Sequence, residues 1–305
     1  MARAVRFEKF GGPEVLQVVE VARPVPGPRT VLLRVRAAGL NPVESGIRGG
    51  FLQRVYRTSF PSGQGRDVAG VVEEAGPGAE GFTAGDEVFG WADEFGTHAE
   101  LVLVPVRNLA RRPAAVPWEV AGALYTAGAA AYAAVRAVAA GPGDTVVVAG
   151  AAGGVGTLAV QLAREAGAAV VGLASEPHHA WLREHGVIPV AYGDGVLDRL
   201  RAVAGQADAF VDTFGGGYVD LALAFGVRPD RINTLIDFEA AARHGVHAVG
   251  SNDASSPAVL EELAGLVAAG RLDVPIERVV GLEEVADAYA LLERRHTLGK
   301  LVLVP

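Results

Sequence analysis

At 305 residues, half of them hydrophobic and 20% charged, the chain is long enough for two domains that each bury a core. A net charge of −8 argues against a nucleic-acid partner, which would ask for a basic surface. Cysteine is absent, so disulfides and any zinc site built on thiolates are excluded, and lysine occurs only at Lys9 and Lys300.

The opening stretch, MARAVRFEKF, carries charges every few residues, unlike the apolar segment of a signal peptide. A soluble, cytoplasmic protein is expected. The first hundred residues read as strands. Leu33, Val35 and Ala37 alternate with Arg34 and Arg36, and Leu101 and Leu103 alternate with Val102 and Val104. Gly-Pro punctuation at Gly11-Gly12-Pro13, Pro24 to Pro28 and Gly76-Pro77-Gly78 separates the strands, as in a β-rich domain. The stretch from Arg66 to Gly90 reads as two strands joined by turns.

Near Pro117 the character changes. An alanine-rich helix from Trp118 to Ala139 ends at Gly141-Pro142-Gly143-Asp144, which launches the next strand. That strand runs through VVVAG into the turn Ala151-Ala152-Gly153-Gly154-Val155-Gly156, and the turn opens onto the helix-like TLAVQLAREAG. The uncharged run from Thr145 to Ala163 is long enough to suggest a membrane helix, but the glycine turn breaks it, so no membrane span is expected.

A strand, a glycine turn and a helix in this order form a dinucleotide cradle. Free N–H groups at the helix start point at the pyrophosphate, and side chains at Gly153, Gly154 and Gly156 would obstruct its approach. Ala151 stands where the G-x-G-x-x-G pattern has its first glycine.

Beyond the turn, strand and helix alternate at Ala169–Ala174, Pro177–His185, Val190–Ala191, Val196–Val203, Ala209–Asp212, Tyr218–Phe225, Ile232–Ile236 and Val246–Val249. This alternation predicts a parallel sheet with helices on both faces. A helix from Pro257 to Ala269 stops at Gly270, and a strand at Ile276–Val280, a helix from Glu283 to Arg295 and a strand at Lys300–Val304 follow.

The nucleotide's identity is read at the end of the second strand of the parallel sheet, Leu173-Ala174-Ser175. NAD enzymes usually place a carboxylate there for the ribose 2′-hydroxyl. Ser175 donates to a 2′-phosphate without repelling it, and His178 and Arg183 supply positive charge, so NADPH is the expected cofactor. Glu176 serves either a 2′-hydroxyl or, as a carboxylate, the start of the following helix.

These pieces resemble the medium-chain dehydrogenase/reductase superfamily, and most closely its zinc-independent quinone oxidoreductase branch, which includes zeta-crystallin. The resemblance rests on Asn41-Pro42-Val43-Glu44 with Arg48-Gly49-Gly50, Gly65-Arg66-Asp67-Val68-Ala69-Gly70, Gly85-Asp86-Glu87-Val88, Gly96-Thr97-His98-Ala99-Glu100, the glycine turn, and Gly299-Lys300-Leu301-Val302-Leu303. It implies an α/β protein in two domains. Residues 1–116, completed by 257–305, would form a GroES-like catalytic domain, and 117–256 a Rossmann domain.

It also implies hydride transfer from NADPH to a quinone or conjugated enone without a metal. The alternatives are an enoyl-thioester reductase, or a crystallin-type NADPH-binding protein with little turnover. Among site residues it places Asn41 beside nicotinamide and substrate, an Asn-Pro turn being the competing explanation. Tyr56 is a candidate proton or hydrogen-bond donor. Gly46 and Leu52 fall near positions where some relatives carry tyrosine, and Phe51, Trp91 and Phe95 are candidates for lining an aromatic pocket. On the cofactor side it points to the glycine turn with Val155, and to Ser175, His178, Arg183, Tyr192 and Thr213. Lys300 is included there, an exposed charge being the equal alternative, as is Ala130, where threonine is common in relatives. Relatives dimerise through sheet edges, and Val246–Val249 would supply such an edge for a homodimer.

Overall fold

A computed structural model describes all 305 residues. Its elements, in chain order, are β1 (Ala2–Phe7), β2 (Gln17–Val21), β3 (Thr30–Gly39), α1 (Pro42–Arg48), β4 (Ser62–Gly63), β5 (Asp67–Ala75), β6 (Glu87–Trp91), β7 (Leu101–Pro105) and β8 (Leu109–Arg111). Then come α2 (Trp118–Ala137), β9 (Thr145–Ala149), α3 (Gly154–Glu165), β10 (Ala169–Ala174), α4 (His179–Glu184), β11 (Ile188–Ala191), α5 (Val196–Ala204), β12 (Ala209–Asp212), α6 (Tyr218–Ala224), β13 (Ile232–Thr234) and α7 (Phe238–His244). The chain closes with α8 (Pro257–Ala268), β14 (Ile276–Gly281), α9 (Val285–Glu293) and β15 (Lys300–Val304).

Two compact units result. One gathers Met1–Thr126, Ser255–Arg271 and Ile276–Pro305; the other gathers Ala127–Ala254 and Leu272–Pro275. The first is β-rich. Its seven-stranded sheet runs β14-β15-β3-β5-β6-β8, with β7 also paired to β3, and a three-stranded sheet runs β2-β1-β4. The alternation read in the sequence sets the faces of β3: Leu33, Val35 and Ala37 are buried, while Arg34 and Arg36 face out. Val31, Leu33, Val68, Val88 and Val104 form one apolar core, and α9 packs Val285 and Tyr289 against Val5, Phe7 and Leu303 in another.

In the second unit all strands are parallel, in the order β11-β10-β9-β12-β13. Their central members are buried on both faces, as apolar strands between helix layers must be. Val147, Leu173, Phe210 and Ile232 anchor the core. The strands lying outward from β9 reverse direction of progression between β10 and β12, which places the C-terminal end of β9 at the switch point where such sheets bind ligands.

The units do not divide between residues 116 and 117. Helix α2 contributes its residues up to Thr126 to the β-rich unit. Two contacts hold that part there: Gly122 approaches Ala37 so closely that a Cβ would lie 2.5 Å from the Ala37 carbonyl oxygen, and the Thr126 amide donates to Asp67 at 3.2 Å. Residues Leu272–Pro275 join the parallel-sheet unit because Gln161 pairs with the Asp273 peptide, donating to its carbonyl and accepting from its amide, both at 2.8 Å.

Val246–Val249 is not a strand. His247 makes a single parallel bridge to Asn233, and the Asn233 side chain replaces the rest of the ladder, donating to Val249 O and accepting from Val249 N. An amide side chain mimics a peptide group here, so the backbone partners are satisfied without continuing the sheet.

Candidate active site

The glycine turn lies at the end of β9. Gly150 adopts φ +73°, and a Cβ there would lie 2.6 Å from Thr213 Oγ1. Gly156 is tighter still, since its Cβ would sit 2.0 Å from the Gly150 carbonyl oxygen. The third glycine therefore lets the first turn of α3 close onto the strand end. Gly153 is the N-cap of α3 and offers no side-chain cap, so the amides of Gly154, Val155 and Gly156 have neither a capping nor an intrahelical acceptor. Such a helix start attracts an anion.

Ala151 departs from the pattern without obstructing the turn. Its amide donates to Leu173 O at 3.0 Å, and its methyl points at Gly172 on β10, where an added Cβ would meet it at 2.9 Å. The missing side chain at Gly172 makes the room that this methyl occupies.

Thr213 and Ser175 follow the strands on either side of β9. The Thr213 hydroxyl donates to Ala149 O at 2.7 Å and clamps the two strand ends. Buried Asp212 accepts from the amides of Phe214 and Gly215 and from the Thr234 hydroxyl, and so shapes the Gly215–Gly217 loop. Ser175 is half-buried immediately after β10, Glu176 is exposed, and Arg183 is exposed in the last turn of α4. His178 donates its amide to Ser175 O, while the ring that contacts β10 is that of His179, with Nε2 3.1 Å from Ala174 O. Tyr192 is exposed just after β11. Ala130 is buried within α2 and presents only a methyl group.

The β-rich unit holds a second assembly, which the sequence signalled only in part. Asn41, at the start of α1, is 2% exposed. Its Oδ1 accepts from Lys300 Nζ, which also donates to Leu40 O at 2.8 Å. The Lys300 ammonium is thus directed into this unit's interior, beside Asn41. Glu44, one turn along α1, accepts from the Asn41 amide at 2.9 Å, the Arg66 amide at 3.0 Å and the Tyr289 hydroxyl. Asp67, fully buried at the start of β5, accepts from the amide and hydroxyl of Thr126. His98 lies in the same interior with Nε2 3.4 Å from Gly39 O and Nδ1 unpartnered.

Burial dominates the electrostatics. It pushes the Glu44 and Asp67 carboxyls above their ordinary range, lowers the Lys300 ammonium, and holds His98 down at about 4. Burial, reinforced by adjacent Glu44, raises the Tyr289 hydroxyl well above its usual value. Glu44, Asp67, Thr126 and Tyr289 were not singled out from sequence. The motifs Asn-Pro-Val-Glu and Gly-Arg-Asp-Val did contain the two carboxylates, but nothing in the spacing marked them as neighbours.

Tyr56 stands apart from this interior. It is half-buried in the turns after α1, its ring edge-on to Phe95 at 5.7 Å. Trp91 stacks on Tyr125 at 4.3 Å, the Arg66 guanidinium lies 5.4 Å from the same ring, and Phe51 is exposed.

The family description "Alcohol dehydrogenase GroES-like domain" matches residues 27–114, and "Zinc-binding dehydrogenase" matches residues 185–303. The solved quinone oxidoreductase from Coxiella burnetii is 31% identical, with a TM-score of 0.91 over 100% of this chain and 99% of that one. The chain belongs to the quinone oxidoreductase branch of the medium-chain dehydrogenase/reductase superfamily. The quinone oxidoreductase of Pseudomonas aeruginosa is 29% identical over 100% of both chains. That of Mus musculus is 36% identical over 70% of this chain, but the match spans only 65% of the mouse protein.

Family membership fixes the architecture as a GroES-like unit joined to a Rossmann-type parallel sheet. The zinc in the one family description does not fit the residues present. The chain has no cysteine, no group of three or more histidine, aspartate or glutamate side chains is placed to hold a metal ion, and an ammonium faces both buried carboxylates. No helix is long and apolar enough to cross a membrane.

Proposed function

We propose that this quinone oxidoreductase relative is a reductase that uses NADPH to deliver hydride to a quinone or a conjugated enone without a metal ion. One observation carries the reading: the open glycine turn at the start of α3 is flanked, at the end of β10, by Ser175 rather than a carboxylate. The backbone of Gly153, Gly154, Val155 and Gly156 would take the pyrophosphate. Ser175, His178 and Arg183 would take the 2′-phosphate, and Tyr192 would lie against the adenosine. Thr213 fixes the turn through Ala149 O, and Ala130 leaves an apolar wall.

Bound NADPH supplies the hydride, and a quinone or enone is already electron-poor enough to accept it without Lewis-acid help. The residues then have to bind, orient and exclude water. Asn41, held by Lys300 and Glu44, would orient the acceptor carbonyl, and Tyr56, edge-on to Phe95, would be the hydrogen-bond or proton donor. A homodimer through the lightly covered sheet edge beyond β13 completes the reading.

The test is oxidation of NADPH and of NADH by chelator-treated protein, with 1,4-benzoquinone or a simple enone as acceptor. Acceptor-dependent loss of NADPH, faster than that of NADH and insensitive to chelation, is the expected result. Tight NADPH binding without acceptor-dependent oxidation would overturn it in favour of a nucleotide-binding protein.

A further inference from the structure

A cavity of about 530 Å³ opens in the β-rich unit where the end of α1 meets the end of α9. That volume suits a small organic molecule. Arg48 and Phe51 line it from the α1 side, and Leu292, Glu293 and Arg295 from the α9 side. Asn41, Glu44, Asp67 and Lys300 do not line it, so it is separate from the polar interior described above.

The Arg48 guanidinium is the built part of this cavity. It is 1% exposed, its Nε donates to the Gly11 and Gly12 carbonyls at 3.3 and 3.1 Å, and its Cζ lies 4.9 Å from the centre of the Tyr289 ring. A cation so buried needs an anion. The one it has is Glu293, and the pairing is incomplete. Glu293 meets Nη2 alone, through Oε1, while Nη1 is buried without a partner. The hydroxyl of Ser45, three residues earlier on α1 and also lining the cavity, is unpartnered too. A carboxylate laid across both terminal nitrogens would make two parallel bonds where Glu293 makes one.

Glu293 is also poorly anchored. It is the last residue of α9, where the free carbonyls of a helix end disfavour an anion, and its side chain is 37% exposed, so it can turn into water at little cost. The balance of charge favours another anion in its place, since Arg48 and Arg295 stand against Glu293 alone in the lining. Glu14, on the short turn Pro13–Val15, is held by the Gly12 amide at 2.9 Å and is not part of the lining.

The remaining wall is mostly apolar. Phe51 is 86% exposed, and its ring lies over Gly49, where an added Cβ would come within 2.5 Å of it. The bare backbone at Gly49 thus holds an aromatic face at the cavity, available to a second flat ring.

We propose that this cavity binds an aromatic monocarboxylate, whose carboxylate displaces Glu293 from Arg48 and whose ring lies against Phe51 and Leu292. Glu293 competes with the ligand for the guanidinium and turns into solvent when it binds. The site does not depend on the reductase reading.

Titration calorimetry of the full chain with benzoate, and with benzamide as its uncharged counterpart, tests the assignment. Benzoate should bind at least about tenfold more tightly than benzamide. Glu293→Gln keeps an oxygen for Nη2 but removes the competing charge, and it should tighten benzoate binding about threefold. Phe51→Ala alters an exposed side chain and should weaken benzoate binding about threefold or more. No benzoate binding, equal affinity for benzamide, an affinity unchanged or weakened in Glu293→Gln, or one unchanged in Phe51→Ala overturns the proposal.

Discussion

His98 gives the most direct check on the buried interior. Its ring is fully buried and holds its proton only below about 4, against an ordinary value of 6.5. Above the ordinary value the ring is neutral in both folded and unfolded chains. As pH falls, the unfolded chain takes up a proton first and the folded one declines it, so stability is lost between about 6.5 and about 4. The full difference is about 3 kcal/mol, and by about pH 5 roughly 2 kcal/mol of it has gone. Urea unfolding of wild type and His98→Gln at about pH 7 and about pH 5 measures the term, because Glu44, Asp67 and Lys300 titrate in both proteins. Wild type should lose about 2 kcal/mol more than the variant over that interval. Equal losses would show that the ring is protonated in the folded protein, and the argument from burial would fail.

Four further outcomes are expected. Gly156→Ala drives a methyl to 2.0 Å from Gly150 O; it should cost about 2–3 kcal/mol of stability in thermal unfolding and abolish nucleotide binding by titration calorimetry. Ser175→Asp should weaken NADPH binding at least about tenfold more than NADH binding, since a carboxylate repels a 2′-phosphate and accepts from a 2′-hydroxyl; equal losses would remove Ser175 from the phosphate site. Lys300→Met removes the one ammonium facing the buried Glu44 and Asp67 carboxyls and should cost about 3–5 kcal/mol near neutral pH, shrinking as acid protonates whatever carboxylate remains, by urea titration. Light scattering should give a concentration-dependent dimer mass, and a monomer throughout would reject the dimer.

Much of the fold was legible because its signals are local. The alternation in β3, the Gly141–Asp144 stop and the glycine turn each fix a backbone state through neighbours in sequence. The strand expected at Val246–Val249 failed because its apolar run says nothing of Asn233, whose side chain takes over the ladder. The domain limit shifted to Thr126 for a similar reason: a helix shows its period in sequence, but not the contacts of Gly122 with Ala37 and Thr126 with Asp67. At the site, the glycines were read from steric need. The alternative of an exposed charge at Lys300 failed: its ammonium is buried beside Asn41, because the pairing of β15 with β3 brings residues 259 apart in sequence together.

The discontinuous β-rich unit sets an order of events during synthesis. Its seven-stranded sheet needs β15, the last strand of the chain, to cover β3, and its second core needs α9. The first 126 residues therefore leave the ribosome with an open sheet edge and an uncovered apolar face. The parallel-sheet strands all lie between Thr145 and Thr234, and that sheet can complete while the C-terminal strands are still being made. The nascent chain thus holds β3 and its neighbours unfinished until β15 is made. A chaperone that shields apolar β-surface would find its substrate in that interval, and deleting Lys300–Val304 should make the waiting state permanent.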